Sequence, residues 1–228
     1  MKGILYGVSV GPGDPELLTL KAVRILQSCP VVASPVTNGE NTLALDIAKG
    51  TVDLSQKEVL KLPFLMKRDK AAMELNHREN GQKIAAYLEK GMDVAMVNLG
   101  DVAVYSTFAY LMEYLQAQGY TVRMIPGVTS FCAVAAALGT GLTTMNKPIH
   151  IIPAGGMDTQ SALELEGTRV LMKNCKALPQ VKAALAAKGL TQKAMLVQNC
   201  GLPNEQICRN IEQAPDDSSY FTTIIVKE

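Results

Sequence analysis

Short apolar runs rich in β-branched residues alternate with longer segments of helical period through the first half of the chain. The runs predict five strands, at residues 4–10, 31–34, 58–62, 93–98 and 121–125. Helices are expected between them, most clearly at 18–29, 67–90 and 105–118. This alternation is typical of βα units, and it predicts an α/β fold with a mostly parallel sheet.

The pattern changes after Pro126-Gly127, where small residues become frequent and a second set of elements begins. The later elements are four strands, at 149–153, 169–173, 194–198 and 221–226, and a helix at 178–188. We therefore expect an N-terminal α/β domain of residues 1–127 and a C-terminal α/β domain of residues 128–228. No Ser- or Pro-rich linker separates them, so we expect the two domains to pack tightly and to leave a ligand cleft between them.

Composition narrows the classes of function. The chain has 22 Lys and Arg against 21 Asp and Glu, which leaves no basic excess for nucleic acid or an anionic membrane. Its most apolar stretch, residues 131–141, contains glycines and is shorter than the roughly 18 residues of a transmembrane helix. The first apolar run lacks the length and the cleavage site of a signal peptide, so a cytoplasmic location is expected.

The cysteines and histidines argue against a metal centre and a disulfide framework. The chain has five cysteines, scattered without a Cys-x-x-Cys pair, and two histidines, His77 and His150. We interpret Cys29 and Cys132 as small core residues. His150 lies inside an apolar strand and is interpreted as a structural histidine. No metal bound by protein side chains is expected.

A glycine-rich turn, Gly11-Pro12-Gly13-Asp14-Pro15, leaves the first strand and opens a helix. Asp14 suits the N-cap and Pro15 suits the first helical position, so the turn alone could be an ordinary strand-to-helix connection. It is not a dinucleotide fingerprint, because Glu16 stands where the last glycine would be. It is not a P-loop either, because no Gly-Lys-Ser/Thr follows.

Two further loops follow predicted strands and carry groups that could bind a ligand. The first, residues 99–108, begins Leu99-Gly100-Asp101 at the carboxyl end of the fourth strand, the edge where ligands of open α/β sheets bind. Its glycine allows close backbone approach, and its carboxylate could hold hydroxyls or an ammonium. The second, residues 126–130, has Thr129 or Ser130 as its N-cap. Either loop alone is also compatible with simple helix capping.

The order and spacing of these three motifs resemble the tetrapyrrole (precorrin) methylase family. The resemblance is carried by Gly-Pro-Gly-Asp-Pro-Glu-Leu-Leu-Thr after the first strand, by Leu-Gly-Asp in mid-chain and by Pro-Gly-Val-Thr-Ser after the fifth strand. It covers essentially the whole chain. Within the family, Leu20-Lys21-Ala22-Val23-Arg24 and Tyr105-Ser106-Thr107-Phe108 look most like the branch that methylates C(20) of precorrin-2 or cobalt-precorrin-2.

The resemblance implies an S-adenosylmethionine-dependent methyltransferase, a homodimer that acts on a tetrapyrrole and holds its cofactor in the cleft between two α/β domains. Any cobalt would arrive within the substrate. The residues that the resemblance assigns to the cofactor are Pro12, Leu99, Gly100, Asp101, Val104, Thr129, Ser130, Met172 and Cys200. One departure is Val102, where the family usually has proline. Loss of that ring leaves the backbone of Asp101 freer, and Val102→Pro is expected to be tolerated.

The motifs do not identify a catalytic group. Methyl transfer from a sulfonium needs mainly alignment, and the methylated carbon must then lose a proton. Tyr105, Asp101 and His77 are candidates for the base, with solvent as the alternative. His77 could instead be an axial ligand to a substrate metal. Four basic side chains could meet tetrapyrrole carboxylates or form a solvated helix face: Lys67, Arg68, Lys70 and Arg78.

Three other functions stay open. Another tetrapyrrole methylase, acting at C(11), at C(17) or on uroporphyrinogen, or a relative that methylates diphthamide or rRNA, would keep the cofactor loops and change the substrate-facing ones. A nicotinamide dehydrogenase is disfavoured by Glu16. A catalytically silent tetrapyrrole carrier would lose the cofactor pocket, which the intact Leu99-Gly100-Asp101 and Thr129-Ser130 argue against.

Overall fold

The computed structural model describes residues 1–36, 42–65, 69–173 and 177–228. In these ranges the chain forms two compact units, Met1–Thr129 and Ser130–Glu228. Each unit contains a five-stranded sheet. Both units combine strands with helices, which confirms the predicted α/β class.

The first unit is a succession of strands and helices. Its strands are β1 (Ile4–Ser9), β2 (Val31–Val36), β3 (Glu58–Pro63), β4 (Val94–Asn98) and β5 (Thr121–Ile125). Its helices are α1 (Leu20–Ser28), α2 (Leu43–Lys49), α3 (Lys70–Leu88) and α4 (Phe108–Gln116). All five strands are parallel, in the order β3-β2-β4-β1-β5. The predicted parallel sheet is confirmed.

The helices of the first unit cover the two faces of its sheet in pairs. Helices α1 and α2 pack in a cluster with Val8 of β1 and Val97 of β4. Helices α3 and α4 pack in another cluster, with Leu5 of β1 and Met96 of β4. Strands β1 and β4 are therefore neighbours whose following helices lie on opposite faces. In open α/β sheets, ligands bind outside the carboxyl edge between two such strands.

The first helix begins later than its glycine-rich turn suggested. Asp14 is an N-cap, as predicted, but it caps a short 3-10 turn, Pro15–Leu17. Helix α1 has its own cap, because the Thr19 hydroxyl accepts a hydrogen bond from the N–H of Ala22 at 3.1 Å. The strand-to-helix connection therefore contains two successive caps.

The long helix of the first unit begins at Lys70, where residues 67–90 were predicted. Asp69 provides the cap, since its carboxylate accepts a hydrogen bond from the N–H of Ala72 at 3.2 Å. Lys67 and Arg68, two of the four candidate contacts to substrate carboxylates, lie outside the described residues. Lys70 and Arg78 are both exposed.

The second unit is built on a mixed sheet. Its strands are β6 (Ile149–Pro153), β7 (Thr168–Met172), β8 (Ala194–Gln198), β9 (Gln206–Cys208) and β10 (Thr222–Val226). Its helices are α5 (Ser130–Leu138), α6 (Thr159–Glu164) and α7 (Leu178–Ala187). The strand order is β6-β7-β10-β8-β9, with β6 and β7 parallel and the other neighbours antiparallel.

Two cysteines test the predicted core. Cys29 is 1% exposed and packs in the cluster beneath α1, which confirms its assignment. Cys132 is exposed, so its assignment to the core was wrong. Helix α5 packs through Val134, Ala135 and Leu138, and position 132 falls on the other side of the helix.

Candidate functional site

The loops that follow β1 and β4 are joined to each other by backbone hydrogen bonds. We call residues 10–14 the first loop, residues 99–107 the second loop and residues 126–129 the third loop. The N–H of Gly11 donates to the carbonyl of Gly100 at 3.2 Å, and the N–H of Gly100 donates to the carbonyl of Gly11 at 2.8 Å. The two motifs recognised in the sequence therefore meet at the carboxyl edge of the sheet.

Gly100 leaves open space beside the backbone at this edge. Its φ is 72°, in the left-handed region that favours glycine. A Cβ added to Gly100 would have no neighbour within 4 Å. Packing against protein atoms therefore does not explain the glycine, whereas its backbone conformation does. The open side is where a ligand can approach the backbone.

Asp101 ties the second loop to the third. Its Oδ1 accepts a hydrogen bond from the N–H of Ala103 at 2.8 Å, and its Oδ2 accepts one from the N–H of Gly127 at 2.7 Å. The first bond closes a turn within the second loop, and the second bond joins the loops after β4 and β5. This carboxylate was predicted from the sequence to hold a ligand, and in the structure both of its oxygens accept hydrogen bonds that position loops.

Ser9 of β1 forms a further link to the second loop, and it was not among the residues predicted from the sequence. This residue is fully buried at the end of β1, and its hydroxyl oxygen accepts a hydrogen bond from the N–H of Val102 at 2.8 Å. The bond fixes the second loop at the position where the family usually has proline. It also argues against the expectation that Val102→Pro is tolerated, because proline has no N–H to donate.

The far end of the second loop is held by Asn98 and Ser106. The Ser106 hydroxyl donates to Asn98 Oδ1 at 2.8 Å and accepts a hydrogen bond from the N–H of Phe108 at 3.1 Å. Helix α4 begins at Phe108, directly after these contacts, where residue 105 was predicted. Tyr105 lies in the second loop between Val102 and Ser106. Its φ is 50° and its side chain is exposed. A non-glycine residue in this region of the Ramachandran plot is uncommon and is often found at functional sites.

The third loop contributes a hydroxyl with no hydrogen-bond partner. Thr129 Oγ1 is buried, and no described protein atom pairs with it. A buried hydroxyl normally finds a partner, because leaving it without one costs about 1–3 kcal/mol. The Thr129 hydroxyl is therefore available to pair with a ligand.

The remaining first-unit candidates lie on the same loops. Pro12 is buried beside Gly11 in the first loop. Leu99 packs against the core cluster under α1, and Val104 is half-buried in the second loop. The structure therefore brings Pro12, Leu99 and Val104 to the carboxyl edge at which Gly100 and Asp101 meet the first and third loops.

Met172 and Cys200 belong to the second unit and lie at one edge of its sheet. Met172 ends β7 and Gln198 ends β8, and these two strands flank β10 on either side. Cys200 follows two residues later and is half-buried. Burial, and then the nearby Glu205, raise the pKa of its thiol to about 12, so the thiol is neutral. Ser130, the other candidate of this unit, begins α5.

The two histidines have different surroundings. In the second unit, Nε2 of His150 is hydrogen-bonded to the carbonyl of Glu166 at 3.0 Å, which confirms a structural histidine. In the first unit, the imidazole of His77 stacks on Tyr110, with ring centroids 4.4 Å apart and an interplanar angle of 11°. Phe64 contacts the same imidazole at 5.8 Å between centroids. Burial lowers the pKa of His77, and Glu74 raises it by a smaller amount.

The part of the chain that the structure describes lacks a cluster of metal-ligating side chains and a helix that could span a membrane. None of its His, Cys, Asp and Glu side chains form a group of three or more that could hold a metal ion. None of its helices is both long and apolar enough to cross a membrane.

The amino-acid sequence matches a known family along nearly its whole length. The family model of Tetrapyrrole (Corrin/Porphyrin) Methylases matches residues 4–215. The chain belongs to the tetrapyrrole methylase family. The resemblance inferred from the three loop motifs is thereby confirmed.

Individual members of the family resemble this chain over its full length. Cobalt-precorrin-2 C(20)-methyltransferase of Salmonella typhimurium is 33% identical over 233 residues, which cover 100% of this chain and 98% of that protein. Precorrin-2 C(20)-methyltransferase of a Sinorhizobium species is 28% identical, covering 98% and 95%. Uroporphyrin-III C-methyl transferase from Thermus thermophilus, solved in complex with S-adenyl homocysteine, has a TM-score of 0.72 at 21% identity, covering 99% and 92%. This last likeness shows the shared fold.

Proposed function

We propose that this protein is an S-adenosylmethionine-dependent methyltransferase that methylates C(20) of precorrin-2 or cobalt-precorrin-2 in cobalamin biosynthesis. One observation carries the proposal. The identity of 33% to the Salmonella C(20)-methyltransferase extends over the entire chain and nearly the entire relative. The Sinorhizobium relative, whose name carries no cobalt, has the same C(20) specificity, so the carbon is better supported than the metal content of the substrate.

The first-unit loops have the properties that this cofactor requires. S-adenosylmethionine carries ribose hydroxyls, an amino group and a carboxylate, all of which need hydrogen-bond partners. Thr129 Oγ1 is a buried hydroxyl without a protein partner, and Gly100 has open space beside its backbone. These two observations support a binding site formed by Pro12, Leu99, Gly100, Asp101, Val104 and Thr129.

The second unit would contribute the remaining contacts. We propose Ser130, Met172 and Cys200 as cofactor contacts, on the basis of the resemblance. Met172 ends β7 and Cys200 follows β8, at the same edge of the second sheet and on either side of β10, which is compatible with a common ligand. Because the Cys200 thiol is neutral, it would serve as a small, weakly polar contact and not as a nucleophile.

When bound, the cofactor would supply a methyl group already activated by the sulfonium charge. The protein then has to hold donor and acceptor in line and exclude water, so positioning accounts for most of the catalysis. Asp101 and Ser9 contribute to this positioning, because their hydrogen bonds with the N–H groups of Gly127 and Val102 fix the second loop to the third loop and to β1. A cytoplasmic location and a homodimer remain part of the proposal.

The test is to incubate the protein with methyl-labelled S-adenosylmethionine and precorrin-2, with and without cobalt, and to locate the new methyl group by NMR. Label at C(20) supports the proposal, and the arm with the faster turnover gives the metal preference. Label at another carbon would assign the protein to a different branch of the family, and no transfer in either arm would refute the proposal.

A pair of threonine variants tests the cofactor site. Thr129→Val removes the unpaired hydroxyl at almost constant volume and should weaken S-adenosylhomocysteine binding about tenfold, the equivalent of one lost hydrogen bond. Thr140→Val removes an exposed hydroxyl and is the matched control, for which no change is expected. Equal affinities in calorimetry would remove Thr129 from the site.

A further inference from the structure

His77 is an ionisable group near the candidate site that the cofactor assignment leaves without a role. Its location follows from its two aromatic neighbours. Tyr110 lies in the first turn of α4, which begins directly after the second loop, and Phe64 follows the last residue of β3. His77 therefore lies at the carboxyl edge of the first sheet, the edge that also carries Gly100.

The surroundings of His77 fix its ring but leave its nitrogens available. Stacking on Tyr110 at 4.4 Å sets the plane of the imidazole, and Phe64 restricts its tilt. Among the residues that the structure describes, no protein group forms a hydrogen bond with either ring nitrogen. The helix itself is anchored at this level, because Nδ2 of Asn76 donates to the carbonyl of Pro63 at 3.0 Å.

The ionisation of His77 suits proton acceptance. Burial lowers the pKa of this imidazole below its ordinary value, and the opposing effect of Glu74 on the same helix is smaller. The side chains packed against it from other elements are the aromatic rings of Tyr110 from α4 and Phe64 after β3. A neutral imidazole with a free lone pair is a general base, whereas an imidazolium is not.

The two other candidates for the base are less suited. Both carboxylate oxygens of Asp101 accept backbone N–H groups, from Ala103 and Gly127, so its protonation would weaken the ties between loops. Tyr105 is exposed, whereas His77 is half-buried against two aromatic rings. His77 combines a ring that is fixed by stacking with a lone pair that no described protein group occupies.

We propose that His77 is the general base that removes the proton from the methylated carbon, an inference that rests on the proposed function. The C(20) carbon forms a bond to the methyl group, and the bond from sulfur to methyl breaks with its electron pair passing to sulfur. The carbon then loses its hydrogen as a proton to a ring nitrogen of His77. The electron pair of the C–H bond restores the conjugation of the macrocycle, and the imidazolium releases its proton to water.

The experiment compares His77→Gln with the wild-type protein, with His150→Gln as the matched control at the structural histidine. Turnover is measured with methyl-labelled S-adenosylmethionine and precorrin-2, and S-adenosylhomocysteine binding is measured by calorimetry. His77→Gln should lower kcat by about 10²- to 10⁴-fold, the usual contribution of general base catalysis, with unchanged cofactor affinity. His150→Gln should keep the wild-type kcat.

A second variant separates chemistry from structure. His77→Ala leaves a gap beside Tyr110, and added imidazole should restore part of its activity in proportion to the concentration of neutral imidazole. Rescue together with the loss in His77→Gln supports the proposal. A His77→Gln turnover within threefold of wild type, or an inactive His77→Ala that imidazole does not rescue, overturns it. If the wild-type protein itself methylates neither tetrapyrrole, the proposed function fails, and this inference fails with it.

Discussion

Val102→Pro tests the hydrogen bond that links the second loop to Ser9, because proline has no backbone N–H to donate. Val102 is 2% exposed, and its N–H donates to the oxygen of the fully buried Ser9 at 2.8 Å. Because the family usually has proline at this position, the sequence predicted that Val102→Pro would be tolerated. The hydrogen bond predicts the opposite, since water cannot replace the lost donor at a buried oxygen.

The expected loss of stability follows from the burial of both hydrogen-bond partners. Val102→Pro should lower the free energy of unfolding by about 1–3 kcal/mol, the cost of a buried polar group left without its partner. Ser9→Ala should cost a similar amount, because it leaves the N–H of Val102 without an acceptor. The double variant removes donor and acceptor together, so its loss should be smaller than the sum of the two single losses by at least about 1 kcal/mol.

Urea unfolding followed by far-ultraviolet circular dichroism measures the free energy of unfolding of the wild-type protein, the two single variants and the double variant. Ser28→Ala is the matched control for the serine, because its hydroxyl is exposed at the end of α1 and donates to the carbonyl of Ile25. Its loss should stay within about 0.5 kcal/mol. Additive losses in the double variant, or wild-type stability of Val102→Pro, would refute the role of the Ser9 hydrogen bond.

Three further predictions concern the ligand and the assembly. S-adenosylhomocysteine at 100 times its Kd should raise Tm by roughly 5–10 °C, from about 2.7 kcal/mol of linkage, whereas NAD should not; a shift with NAD alone would overturn the cofactor assignment. Asp101→Ala should weaken S-adenosylhomocysteine binding about tenfold or more by freeing the Gly127 N–H, whereas His77→Ala should not; calorimetry that finds equal losses would mean that the site is misplaced. Light scattering at micromolar concentration should give twice the chain mass of 24.5 kDa, and the single mass would refute the homodimer.

The longer elements could be predicted from the sequence because each carries its own pattern. Strand β4, five residues and wholly buried, reads as a continuous apolar run, and β5 ends at a Pro-Gly pair. Helices α2 and α6 and strand β9 were missed, since they have seven, six and three residues. Elements so short have too few repeats for a period to be recognised, and tertiary contacts decide whether they form.

The site was predictable where a residue type is unusual and was missed where it is ordinary. Gly100 and Gly127 stand out, because glycines at strand ends indicate special backbone geometry. Ser9 and Asn98 do not, because a single polar residue at the end of an apolar strand looks like the start of a loop. Their partners, Val102 and Ser106, are 93 and 8 residues away along the chain, and only the fold brings the first pair together.

The third loop passes close to the end of β1 at Gly127, and substitution of this glycine tests whether that approach matters. A Cβ at Gly127 would stand 2.4 Å from the Cβ of Ser9 and 3.3 Å from the carbonyl oxygen of Gly100. Ser9 is fully buried and cannot move aside alone, so Gly127→Ala should lower the free energy of unfolding by about 1–3 kcal/mol and weaken S-adenosylhomocysteine binding. Gly141→Ala is the matched control, because its nearest neighbour would be a carbonyl oxygen at 3.9 Å, and it should cost less than about 0.5 kcal/mol. Equal effects of the two changes in urea unfolding and in calorimetry would show that the packing of the third loop on Ser9 shapes neither the stability of the first unit nor its ligand site.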